Sequence, residues 1–205
     1  MRRFPSLFLS LVAVSLLYFN STADGGSPPP SLPTSTTPTT ISIAVNAPDY
    51  ANLTKTLTTL PPQWFAADAL HGKGNVWIVR ESSSEAEWDE WVIRYELPLE
   101  TSHWKLVGET MPGIHTILLR GSAASVSGVL LHECGHVFLL EEVGQKQDAA
   151  LQIEWIQEVL DRSVVSEYAK TDWQECFCES LRIYYGCDRK KVPAGMAGII
   201  TATGG

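Results

Sequence analysis

The sequence predicts an α+β domain, with a small mixed sheet whose edge strand packs on one buried helix, followed by a mainly helical C-terminal part. Three observations predict it. Short runs of strand length, Thr40-Ile-Ser-Ile-Ala-Val45, Val76-Trp-Ile-Val79 and Ile114-His-Thr-Ile-Leu-Leu119, fall before residue 120. Gly128 to Leu140 is apolar nearly throughout, yet carries His132-Glu133-Cys134-Gly135-His136 at its centre. That is a buried helix with polar groups that need partners. Beyond it come two stretches of helical period and no further strand signal.

In chain order, Met1-Arg-Arg3 is basic, Leu7 to Phe19 is apolar, and Ser21-Thr22-Ala23 supplies small residues. Residues 1–23 therefore read as a secretory signal peptide, with an apolar run too short for a transmembrane helix. Residues 24–40 are dense in Ser, Thr and Pro and predict a disordered linker that buries no core. Residues 41–205 remain as one domain of ordinary size, without internal repeats. Thr40–Val45 opens it as a strand. Tyr50, Leu53, Leu57 and Leu60 recur at helical spacing until Pro61-Pro62 stops them. Trp64 to Leu70 predicts a second short helix, and Val76–Val79 a strand. Between Glu81 and Trp104 the pattern is ambiguous. Trp88, Trp91 and Trp104 fit core positions, with cleft lining as the alternative.

Ile114–Leu119 predicts the strand before the buried helix, which Glu141-Glu-Val-Gly144 closes. Residues 148–161 form the next helix, with Leu151, Trp155 and Val159 on one face. Residues 171–185 form another, with Thr171 and Gln174 as capping box and Gly186 as stop.

Lys and Arg number 15 against 23 Asp and Glu, giving a net charge of −8. Loss of Arg2 and Arg3 with a signal peptide takes this to −10. That balance argues against nucleic acid and anionic membrane as partners and implies little else. The expected state is a monomer. Asn52-Leu-Thr54 is a glycosylation sequon. Export permits disulfides among Cys134, Cys176, Cys178 and Cys187. Cys176 and Cys178 point apart on a helix. The expected pairing is Cys134 to Cys176 or Cys178, with Cys187 taking the other.

His132-Glu133-Cys134-Gly135-His136 has the form H-E-x-x-H, about a one-in-a-hundred event by chance in a chain of this composition. Histidines four apart lie on one helix face, where two ring nitrogens reach one Zn²⁺. The adjacent Glu133 then sits beside the open position of the metal, where a general base belongs. Cys134 lies about 200° around the helix from His132 and is not a ligand. A zinc ion held by two His needs a third donor. Leu139 and Glu142 stand where a third-His motif needs Gly and His, so that route fails. A later helix supplies Glu175 and Glu179, four apart on one face. One of them can bind metal while the other holds a histidine from behind. The alternative is a solvated acidic stripe in which Glu179 meets only Arg182.

The order HECGH…YAKTDWQECFCESLRIYYGCD resembles the zinc peptidase domain of the anthrax lethal factor type, a group that includes small secreted Pro-Pro endopeptidases. The match covers most of the chain after Trp88. It departs from the usual pattern at Cys134, Cys176 and Cys178. The resemblance implies a zincin-like fold of the gluzincin kind, one Zn²⁺ bound by His132, His136 and Glu175, and Glu133 as base. It implies Tyr168 as the phenol serving the oxyanion, Glu179 behind the ligands, and proline near the scissile bond, with Pro28-Pro-Pro30 as a site of self-trimming.

The expected function is that of a secreted zinc endopeptidase acting on peptide or protein, with the Ile114–Leu119 strand as the open edge that takes the substrate. The alternatives are a non-catalytic binding domain stapled by zinc and a metal-dependent amidase.

Overall fold

A computed structural model of the chain describes residues 39–62, 64–66, 76–97, 106–140 and 142–204. The signal-peptide expectation, most of the linker, most of the predicted Trp64–Leu70 helix and Trp104 lie outside them.

Among the described residues five strands form one sheet: β1 (Thr39–Ile43), β2 (Phe65–Ala66), β3 (Val76–Glu81), β4 (Gly108–Met111) and β5 (Thr116–Leu119), in the order β2-β1-β3-β5-β4. Every pairing is parallel except β4 with β5. The helices are α1 (Tyr50–Leu57), α2 (Glu85–Arg94), α3 (Val126–Leu140), α4 (Glu142–Gln145), α5 (Asp148–Leu160), α6 (Trp173–Gly186) and α7 (Ala194–Gly204). The chain is thus α+β with a mixed sheet and a helical C-terminal half.

The main core lies between the sheet and α6, with α3 through its centre. Val79, Ile117 and Leu119 meet Leu130, Cys134 and Val137 of α3, and Phe177 and Leu181 close it from α6. Burial on all sides explains why α3 lacks an amphipathic stripe. A smaller cluster forms around Leu118, where Trp88, Trp91 and Leu97 pack. Both tryptophans are therefore core residues, on α2, and neither borders the two cavities beside His132 and Glu133.

Five sequence expectations need correction. Phe65 and Ala66 pair with Thr39 and Thr40 as a strand rather than starting a helix, so tertiary pairing overrides local pattern there. β5 is not the open edge. A tight turn at Pro112–Ile114, with His115 at φ 46°, folds β4 back along it. The sheet edge is Gly108–Met111, a stretch with no alternation to reveal it. The cap of α6 is Asp172, whose carboxylate accepts from the amides of Gln174 and Glu175. Thr171 is helical at φ −62°, ψ −51°, whereas a capping residue is extended, as Asp172 is. Gly186 stays inside α6, whose cap is Cys187. Lastly, all four cysteines are free. Cys176 donates to Glu158 Oε2 at 3.3 Å, and Cys178 packs over Gly135. Cys134 lies about 100° around α3 from Gly135, turned away from α6.

Candidate metal centre

Two helices bring the site together. On α3, His132, Gly135 and His136 share the face that meets α6. Gly135 is required for that approach, because a Cβ there would stand 2.7 Å from Cys178 Sγ and 3.0 Å from Cys178 Cα. The close crossing brings the first two turns of α6 over the histidines. Glu175 Oε2 lies 3.1 Å from His132 Nε2, and its Oε1 lies 3.6 Å from His136 Nε2. One turn on, Glu179 Oε1 sits 3.1 Å from His132 Nδ1. Arg182 donates to both oxygens of Glu179 at 2.9 Å. Glu179 therefore meets both Arg182 and His132, combining the two readings its spacing left open. The Tyr168 ring lies 5.9 Å from that of His132, and its hydroxyl hydrogen-bonds Glu175.

The donor set fits a metal ion. Glu175 Oε2 is buried, and among the described residues it has no aligned hydrogen bond, despite its 3.1 Å approach to His132 Nε2. A buried anionic oxygen left unsatisfied is costly. A cation shared with the two imidazoles would satisfy it. Cys178 is a second candidate third donor: one donor atom from each of His132, His136 and Cys178 lies within 4.8 Å of the others. Its thiol is fully buried and held well above the ordinary range by burial. Cys178 is fully buried and borders neither of the two cavities over the histidines, whereas Glu175 lines the cleft with both histidines. We favour Glu175 on that ground.

Electrostatics split the two histidines. Burial opposes charge on His132, but Glu175 and Glu179 outweigh it and raise its pKa to about 10. Burial and the neighbouring His132 charge push His136 down to about 4. Burial raises Glu179, but His132 and Arg182 win and hold it at about 2. Burial pushes Glu133 up to about 7, with His132 and Thr110 pulling the other way. Burial, then the charge of Glu175, drives the Tyr168 phenol upward.

A cleft runs along β4 above α3 as two adjoining cavities of about 340 and 270 Å³. Leu106, Gly108, His132, Glu133 and Tyr168 border both. The larger extends over Ala123, Gly128 and Val129, the smaller over Glu109, Glu175 and His136.

All six residues expected from the sequence thus lie at one place: His132, Glu133, His136, Glu175, Glu179 and Tyr168. Gly108 and Thr110 also belong there and were missed. Thr110 Oγ1 donates to Glu133 Oε2 at 2.7 Å. Their only local signal was a short polar stretch before a strand. Comparisons with protein-family models, with curated proteins and with solved structures give no match.

Proposed function

We propose that the protein is a secreted zinc endopeptidase. The observation that carries this is the Glu175 carboxylate, which offers one oxygen to each of the His132 and His136 Nε2 atoms beside a buried Glu133 in the same cleft. His132, His136 and Glu175 hold one Zn²⁺, and Glu179 fixes the His132 ring through Nδ1. When bound, zinc lowers the pKa of its water toward ~7 and polarises the scissile carbonyl.

Glu133 takes the proton of the attacking water and later gives it to the leaving amine. A carboxylate with its pKa lifted by burial suits both halves of that task. Tyr168 keeps its proton at neutral pH, because burial raises its pKa, and it donates to the oxyanion. An extended peptide adds along β4 through main-chain hydrogen bonds. The likeness to lethal-factor-type peptidases supports the same assignment and adds the preference for proline. Export rests on residues 1–23. The zinc-stapled binding domain is disfavoured because a purely structural site has no use for an acid buried at a cleft.

The test is a peptide-library digest read by mass spectrometry, with zinc content measured in parallel. Zinc-loaded wild type should cut discrete sites, and Glu133→Gln should keep its metal and cut almost none. Equal activity from both proteins, or no cleavage by wild type, would overturn the assignment. Cleavage of non-peptide amides alone would select the amidase alternative.

A further inference from the structure

We infer that Thr110 is the positioning residue of Glu133: it ties down Oε2 and leaves Oε1 as the oxygen that carries the proton. This rests on the peptidase function proposed above. Three observations on β4 carry it.

The first is the hydrogen bond itself. Thr110 Oγ1 stands 2.7 Å from Glu133 Oε2 and 3.2 Å from the Glu133 main-chain oxygen. Both are acceptors, and the hydroxyl has one proton, so the shorter contact takes it. The second is the bare backbone beside the other oxygen. A Cβ at Gly108 would fall 2.8 Å from Glu133 Oε1 and 2.5 Å from Val129 Cγ1. Oε1 therefore lies against Gly108 at the cleft, where any other residue would displace it. The third is the strand's hydrogen-bond phase. Arg120 N donates to Val107 O at 2.9 Å, and Glu109 faces Leu118. By antiparallel alternation, Val107, Glu109 and Met111 bond toward β5, and the amides and carbonyls of Gly108 and Thr110 point off the sheet edge.

The same two residues thus meet the substrate with their main chain and the base with their other atoms. As the water oxygen bonds the carbonyl carbon, its proton passes to Oε1. As the C–N bond breaks, Oε1 returns that proton to the nitrogen, and the carboxylate is restored. Oε2 keeps its Thr110 bond throughout, so the carboxylate does not rotate between the two transfers. Such an anchor acts on turnover more than on substrate affinity, because it is the base and not the peptide that moves when it is lost.

The test uses Thr110→Val, nearly isosteric but without the hydroxyl, and Thr110→Ser, which keeps it. Steady-state kinetics are read on a peptide found in the library digest. Peptide affinity is read by fluorescence anisotropy in the Glu133→Gln background, with and without Thr110→Val. Thr110→Val should lower kcat about 10–100-fold and leave KM within about twofold, as loss of an orienting partner does. Thr110→Ser should recover most of kcat, and affinity should not change. Thr110→Ala replaces the valine variant if that does not fold. Unchanged kcat in the variant lacking the hydroxyl, no recovery with serine, or a parallel loss of affinity overturns the inference while the peptidase assignment stands. Wild type that cuts no peptide overturns both.

Discussion

At the scale of single residues, His132, Glu133 and His136 were legible because their relation is local: helical pitch alone brings them together. Glu175 and Glu179 were legible as a pair, since four-residue spacing fixes a shared face. Which of the two meets the Nε2 atoms of both histidines depends on the crossing of α3 and α6, which no spacing encodes. Thr110 was illegible for the same reason, as it lies 23 residues from Glu133 and meets it only through the sheet. Two predictions belong here. Glu133→Gln should retain zinc and lose about 10²–10⁴-fold in kcat, measured by initial rates with metal content determined alongside. Among the candidate donors, Glu175→Ala should strip zinc at nanomolar free metal, Glu179→Ala should weaken it about 10–100-fold, and Cys178→Ala should leave it bound. A chelator-competition titration gives the order. Loss of zinc on Cys178→Ala with retention on Glu175→Ala would make the thiol the third ligand, and Co²⁺-loaded protein would then show a thiolate charge-transfer band.

At the scale of elements, α1, α5 and α6 followed their hydrophobic period, α3, β3 and β5 followed their apolar runs, and α2 and α7 were not foreseen. β2 escaped because two residues hold no pattern, and β4, no shorter than β5, because Gly108-Glu-Thr-Met111 lacks an apolar run; pairing with a neighbour decides both. The helix start at α6 was missed by one residue, and the consequence is measurable. Asp172 accepts from the amide of Glu175, so the cap and the candidate metal site share a turn. Asp172→Ala should lower the unfolding free energy by about 1 kcal/mol, whereas Thr171→Ala should change it by less than about 0.5 kcal/mol. Urea denaturation of the two variants decides which residue is the cap.

At the scale of the whole molecule, Glu158 on α5 contributes a pH dependence to stability. Its side chain is only 2% exposed, and among the described residues its Oε1 has no hydrogen-bond partner. Burial raises its pKa from 4.5 to about 7. The folded state therefore holds the proton more tightly than the unfolded chain. That contribution to stability is fully present below pH ~4.5 and is lost as pH rises through about 7. Glu158→Gln should be more stable than wild type at pH 8, by about 1–3 kcal/mol, with the difference closing toward pH 4. Thermal melts of both proteins across that range measure it. A buried acid on α5 was not foreseeable from sequence, because Glu158 falls in an ordinary helical pattern and its burial, with Cys176 of α6 against it, comes from tertiary packing.

The four unpaired thiols make the protein a reporter of its own opening. Cys187 is exposed, while Cys134, Cys176 and Cys178 are buried, Cys178 against Gly135 where α3 and α6 cross. A thiol reagent should consume one equivalent at once and the other three only as the packing over each opens, with Cys178 labelled as fast as α3 and α6 part. A metal bridging those two helices would hold them together, so adding zinc should slow the Cys178 equivalent and spare Cys187. The labelling trace would then register metal occupancy without any substrate.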